Sequence, residues 1–428
     1  MLRLLLGLLL AAVGLAVQGA ELVVPAAAQA TTGVAFDAEA ATRAWIETLP
    51  LAQREKTDAY FEGGYWIALW STLIGMASAL LLLASGASRR MREWAERATR
   101  FRALQTGLYS VMCLAAFTAL ALPFTVYTDF VREHQYGLSN LSFAAWAGEQ
   151  ALGLALSLAF GALAVTAIYA VVRRAPRSWW LWGALVSMAF MALLALVHPV
   201  FIAPLFNHYT PVADVEVRDT VLSLARASGV PADEVWEFNA SKQHKRISAN
   251  VSGLGGTMRI ALNDNLLARG SLAEIRMVMA HEIGHYVLNH VFTRLVLFGL
   301  VVTAMFAFAR WAFARVHARW GARWGVRDVA DPAGLPLLFA AFALFQLLAT
   351  PVNNAITRMQ EVQADRYGLA ASREPDGFAA VALKLGEYRK MAPTALEEAL
   401  FYTHPSGNSR ITMAMRWKAE QLRTPAAR

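Results

Sequence analysis

Apolar positions in this chain do not follow the period of a surface helix; they gather into long runs parted by short polar stretches. A run of about 20 apolar residues crosses the hydrocarbon of a bilayer as a helix. Six runs reach or approach that length: residues 65–84, 104–127, 151–172, 179–197, 295–309 and 335–349. The last two are short for a full span, so they predict helices lengthened by their flanks or tilted against neighbours. A polar region, residues 201–292, separates the fourth run from the fifth. The start, "MLRLLLGLLLAAVGLAVQGAELVVPAAAQATT", has a basic head, a leucine-rich stretch and an A-x-A pattern at residues 28–30. It predicts a signal peptide over residues 1–30, with an uncleaved membrane helix over 2–17 as the rival. Residues 31–63 are polar and read as partly helical. Residues 64–200 then carry four membrane helices, 293–350 two more, and 351–428 a polar tail with a helical pattern. The fold class expected is an all-α, polytopic membrane protein whose water-facing part carries a small β-strand element.

Composition supports this reading. Of 428 residues, 57% are hydrophobic and 16% charged, against about a quarter charged in a soluble domain. The net charge of +8 would raise nucleic-acid binding in a soluble chain. Here the surplus Arg lies in short loops between apolar runs, the pattern that encodes membrane orientation, and no nucleic-acid partner is expected. "SRRMREWAERATRFR" holds six Arg against two Glu, "RRAPR" three Arg and no acid, and "RWAFARVHARWGARWGVRD" repeated Arg against one Asp. With six spans, these loops share one side of the membrane, which the positive-inside rule makes cytoplasmic. The polar region and the tail fall on the other side. The Ala/Arg-rich composition looks bacterial, which would make that side the periplasmic face of an inner membrane. The single cysteine, Cys113, lies inside an apolar run, so a metal site must draw on His and carboxylates.

"MVMAHEIGHYVLNH", residues 277–290, is where chemistry enters. Positions i and i+4 of a helix share a face. His281 and His285 therefore aim two imidazoles at one point, where one zinc ion per chain would sit about 2.0–2.1 Å from each nitrogen. Glu282 reaches the attacking water rather than the metal and serves as general base. Gly284 lets substrate or a neighbouring backbone approach. With nine His in the chain, the chance of one HExxH arising anywhere is on the order of one in a hundred. His290 follows His281 by nine residues; on a continuous helix it points about 180° away and reads as structural or interfacial.

A catalytic zinc takes three protein ligands and keeps one position open. "NNAITRMQEVQADRYGLA" offers Glu361 as the third, with Asp365 one turn on as an acceptor that orients a ligand imidazole. "FYTHPSGNSR" leaves two readings open. Pro405, Ser406 and Gly407 are turn residues that lead into a helix; alternatively His404 donates to a developing oxyanion and Arg410 pairs with the Asp365 or Glu361 region. "SGLGGTMRIALNDNLL" reads as a loop, a strand and a turn into a helix, and such a strand can pair with an extended substrate.

Seven stretches, "REKTDAYFEGGYW", "REHQYGLSN", "FIAPLFNHYTPV", "SKQHKRISANVSGLGGTMRIALNDNLL", "HEIGHYVLNH", "RMQEVQADRYG" and "HPSGNSR", occur in an order and spacing that resemble the type I CAAX prenyl endopeptidases. These are integral-membrane zinc metalloproteases, and the likeness runs from about residue 55 to 415. The resemblance implies membrane helices enclosing a chamber, closed at one end by a zincin-like protease domain that includes residues 201–292 and 351–428. It implies His281, His285 and Glu361 as zinc ligands and Glu282 as base, with Asp365, His404 and Arg410 in supporting positions. Substrate binding would fall to Ser248 and Asn250, although the family's Asn-Ala-Tyr reads Ser248-Ala249-Asn250 here, so Ser248 takes the Asn place. The expected function is a zinc metalloendopeptidase acting on membrane-associated, partly unfolded or prenylated polypeptides. A stress-type membrane quality-control protease and a non-enzymatic transporter or scaffold with structural zinc are the alternatives.

Overall fold

Inside a bilayer only a helix satisfies its backbone within one segment, so the long apolar runs become long helices. The computed structural model of the chain describes residues 22–30, 35–253 and 258–423. Residues 1–21, most of the expected signal peptide, and residues 254–257, in the glycine loop ahead of the expected strand, lie outside these. The described residues open with α1 (Ala38–Glu47), capped by the Asp37 carboxylate on the amides of Glu39 and Ala40. The first span, α2 (Leu51–Ala84), turns through a left-handed Gly86 into the amphipathic α3 (Ala87–Ala98). α4 (Arg102–Thr125) continues through a π turn at Val126–Val131 into Arg132–Gln135. α5 (Phe143–Arg174) follows, then α6 (Trp179–Val197), which runs on through a second π turn at His198–Ile202. Each π turn has a proline at hand, Pro123 or Pro199, which removes an amide donor and displaces the carbonyl one turn back.

The polar region folds as β1 (Tyr209–Pro211), α7 (Val215–Ala227), β2 (Val235–Phe238), β3 (Ala249–Ser252), β4 (Arg259–Asn263), α8 (Asp264–Arg269) and α9 (Leu272–Val287). Its strands form one sheet in the order β1-β2-β4-β3, with β2 and β4 parallel and the other two pairings antiparallel. Among the described strands β3 is therefore an edge. Val235, Ile260 and Leu262 of the sheet and Ile275, Met279 and Ile283 of α9 share one core. Arg246 ties this part to the spans: its guanidinium donates to Glu133 Oε2 (2.6 Å) and to the Tyr60 hydroxyl (2.9 Å).

The chain then makes α10 (His290–Trp324), α11 (Leu335–Ser372), α12 (Pro375–Leu385), α13 (Ala395–Phe401) and α14 (Gly407–Arg423). Among the described residues six helices are long and apolar enough to cross a membrane, and the protein is an integral, multi-pass one. The fifth and sixth runs are lengthened by their flanks: α10 has 35 residues and α11 has 38. At 1.5 Å per residue both exceed a hydrocarbon core of about 30 Å. Pro351 does not end α11, which carries on as one helix into the polar tail.

The three arginine-rich connections gather at one end. Arg92 on α3 pairs with Asp331 ahead of α11 (2.5 Å), Ser88 donates to the Ala333 carbonyl (2.7 Å), and Tyr169 on α5 reaches the Asp331 carbonyl (3.5 Å).

Candidate metal centre

The site begins with how α9 is fixed. Ser271 and Glu274 form a capping box at its start, and Lys384 Nζ lies 2.5 Å from Glu274 Oε1. With Ile275, Met279 and Ile283 committed to the sheet, His281 and His285 turn toward α11. Two glycines let the helices close. A Cβ on Gly368 would lie 2.6 Å from Met277 Cε and 3.2 Å from the His281 backbone nitrogen, and one on Gly284 would lie 3.0 Å from Tyr367 Cδ1. Gly284 thus makes room for a side chain of α11.

That approach brings Glu361 to the imidazole pair. His281 Nε2 is 3.1 Å from His285 Nε2 and 3.2 Å from Glu361 Oε2, and His285 Nε2 is 3.5 Å from Glu361 Oε1. Tetrahedral bonds of 2.0–2.1 Å set ligand atoms about 3.3–3.4 Å apart, so the donor set fits a zinc-sized cation. Glu361 Oε2 is buried and receives no aligned hydrogen bond among the described residues, which leaves an acceptor for such an ion.

Around these three, further groups hold position. Asp365 Oδ1 lies 2.8 Å from His281 Nδ1, and Asp365 is gripped by the Arg410 guanidinium through Nε to Oδ2 (2.9 Å) and Nη2 to Oδ1. Asp365 is fully buried and Arg410 2% exposed. Burial opposes charge on His281, but Asp365 and Glu361 outweigh it and raise its pKa to about 10, so the pocket as a whole favours positive charge. Burial likewise raises the Glu282 carboxyl, against the pull of His281 and His285. His404 Nε2 sits 3.3 Å from Glu361 Oε2, with Nδ1 against Thr403 Oγ1 (2.8 Å). Burial first and the Arg389 charge second hold its pKa well below the usual range, so His404 is a neutral imidazole. Ser248 directly precedes β3 and gives its carbonyl to the Asn263 amide (2.8 Å); Asn250 lies in β3 and accepts from Ser252 Oγ (3.3 Å). Among the described residues no hydrogen bond joins either side chain to the imidazole cluster.

His290 does not share a continuous helix with His281, contrary to the sequence expectation. α9 ends at Val287, and Asn289 takes a left-handed conformation (φ 54°, ψ 36°). Asn tolerates that region, and the chain restarts at His290 in a new direction. His290 Nδ1 meets His285 Nδ1 at 2.8 Å and His290 Nε2 meets Gln363 Oε1 at 3.0 Å. Two more groups carried no sequence signal. Arg294 donates to Gln360 Oε1 (2.6 Å) and approaches Glu361 Oε1 (3.5 Å), while Arg389 buries an Nη2 that has no hydrogen-bond partner among the described residues.

The family model described as peptidase family M48 matches residues 211–418, and that described as CAAX prenyl protease N-terminal, five membrane helices, matches residues 40–208. An uncharacterized metalloprotease of Bacillus subtilis (strain 168), YhfN, is 33% identical over 337 residues, 78% of this chain and 79% of its own. CAAX prenyl protease 1 of Saccharomyces cerevisiae is 28% identical over 335 residues, 73% of each chain. The crystal structure of S. mikatae Ste24p superimposes with a TM-score of 0.71 at 22% identity, covering 86% of this chain and 90% of that one, so the fold is shared.

Proposed function

The chain belongs to peptidase family M48 and is a membrane metalloendopeptidase, and from that premise we propose that it cleaves membrane-associated polypeptides with zinc held by His281, His285 and Glu361. The observation that carries the reading is the convergence of those three side chains at 3.1–3.5 Å. Bound zinc supplies Lewis acidity that polarises the scissile carbonyl and acidifies water. The remaining chemistry belongs to the chain. Glu282 takes the proton of the attacking water and passes it to the leaving amine; its raised pKa brings it nearer neutrality, where both transfers are easy. Asp365 holds the proton of His281 on Nδ1 and so presents Nε2 to the ion, and Arg410 keeps Asp365 ionised. His404, neutral and facing Glu361, has a donor for the oxygen that gains charge. β3, an open edge beside α9, would add the substrate as a further strand, with Ser248 and Asn250 along it.

The arginine-rich end would face the cytoplasm and the metal end the opposite side, the periplasm in a bacterium. A second substrate class, prenylated protein tails, is favoured by the likeness to a yeast relative named CAAX prenyl protease 1. The test is a panel of defined substrates: prenylated CAAX peptides, the same peptides without lipid, and an unfolded membrane polypeptide. Cleavage of the last supports the first reading; cleavage of prenylated peptides alone overturns it in favour of the second. Glu282→Gln should lower turnover about a hundredfold to ten-thousandfold with zinc content unchanged. Turnover near wild type would place the base elsewhere.

A further inference from the structure

At the end of the bundle away from the imidazoles lies a cavity of about 480 Å³ whose wall includes Arg92, Arg102, Thr106, Arg173, Arg327 and Asp331. Its acids are already engaged. Asp331 accepts from Arg92 and from Arg327, Glu96 pairs with Arg327, and Asp328 accepts from the amides of Ala330 and Asp331. Its arginines are not all matched. Arg173 has one neutral partner, Thr106 Oγ1 at 3.2 Å. Arg102 accepts from Thr106 Oγ1 through its backbone carbonyl (2.9 Å), but its guanidinium has no hydrogen bond or ion pair among the described residues. Arg92, 8% exposed, is matched: it pairs with Asp331 (2.5 Å), and its Nε lies 3.9 Å from Glu96 Oε2.

A further source of positive potential points the same way. Arg102 is the first residue of the 24-residue α4, whose N-cap, Phe101, supplies no side-chain acceptor. The first-turn amides and the positive end of the helix dipole therefore add to the two guanidiniums. Exposed apolar residues adjoin the lining along the chain: Phe101 and Leu104, on either side of Arg102, are each 57% exposed, and Trp94, beside Ala95, is 53% exposed. Unmatched arginines at the end of a transmembrane bundle, with apolar side chains beside them, fit a ligand that is anionic at one end and apolar at the other.

We propose that this cavity binds a phosphodiester, that of an anionic phospholipid headgroup, through Arg102 and Arg173, with the acyl chains running past Phe101 and Leu104. The fork of a guanidinium matches two phosphate oxygens. About 39 Å of α11, from Leu335 just past Asp331 to Glu361, separates the two ends at 1.5 Å per residue, so the site is remote from the metal ligands.

The full chain, purified in detergent, is titrated with phosphatidylglycerol, phosphatidylcholine or inorganic phosphate, and bound ligand is counted by native mass spectrometry. Phosphatidylglycerol should bind at least about tenfold more tightly than phosphatidylcholine, and Arg102→Gln with Arg173→Gln should lower its affinity by tenfold or more. The paired Lys substitutions keep the charge and lose the fork, so they should retain an intermediate affinity and serve if the Gln pair folds poorly. Peptide cleavage should stay unchanged in both. Saturable binding of inorganic phosphate, lost in the Gln pair, would assign the same two arginines to a free phosphate. Equal affinity for the two lipids, or unaltered phosphatidylglycerol binding in both substituted pairs, overturns the proposal.

Discussion

Replacing His290 by Ala tests whether the centre depends on groups behind its ligands. In the proposed centre His285 presents Nε2 to the ion, so its Nδ1 would carry the proton and donate across 2.8 Å to His290 Nδ1. His290 can accept only if its own proton is on Nε2, and the Gln363 Oε1 at 3.0 Å holds it there. The chain Gln363–His290–His285 therefore fixes one tautomer and one ring orientation. Loss of such a partner typically lowers metal affinity by ten- to a hundredfold, about 1.4–2.7 kcal/mol. Zinc affinity is measured by competition with a chromogenic chelator, alongside thermal unfolding of the metal-free protein. Affinity should fall by at least tenfold in His290→Ala, and by less in Gln363→Leu, which frees the tautomer but leaves the ring. Affinity within twofold of wild type in His290→Ala, with the fold intact, would refute the reasoning and make His290 a packing residue only.

Three other outcomes follow from the same geometry. Gly368→Ala pushes a Cβ toward the His281 backbone, which cannot yield as Met277 can, and should destabilise the protein by about 1–3 kcal/mol in thermal unfolding. Arg410→Met leaves the buried Asp365 without its cation and should cost about 3–5 kcal/mol in chemical denaturation, with cleavage falling as His281 loses its fixed acceptor. Removing metal with a chelator should abolish cleavage and lower the melting temperature, with both restored by zinc; at a free zinc level of 100 times Kd the stabilisation is about 2.7 kcal/mol.

Membrane helices were legible because burial in lipid demands continuous apolar sequence, and each of the six apolar runs lies within one of the helices long enough to span. Their ends were not legible. α10 and α11 run well past their apolar runs, into polar sequence where helix continuation is decided by packing and no longer by composition. The glutamate at 361 and aspartate at 365 could be read as a pair because both lie on one helix, one turn apart. His290 was misplaced because helical periodicity holds only while the helix lasts, and a single left-handed residue at Asn289 resets it. Arg389 lies in a turn with no period at all, and its neighbours in "EYRKM" look like an ordinary solvated charge run.

Gly284 and Gly368 have one last implication. Because backbone meets side chain so tightly there, the spacing of the two helices is set by main chain. The seam presents two imidazole nitrogens and one carboxylate 3.1–3.5 Å apart. That set suits a four-coordinate ion such as zinc and falls well short of the six to eight oxygens that a calcium ion gathers. The glycine seam thus works as a spacer that fixes which donors meet, and donor number and type then favour one metal over another.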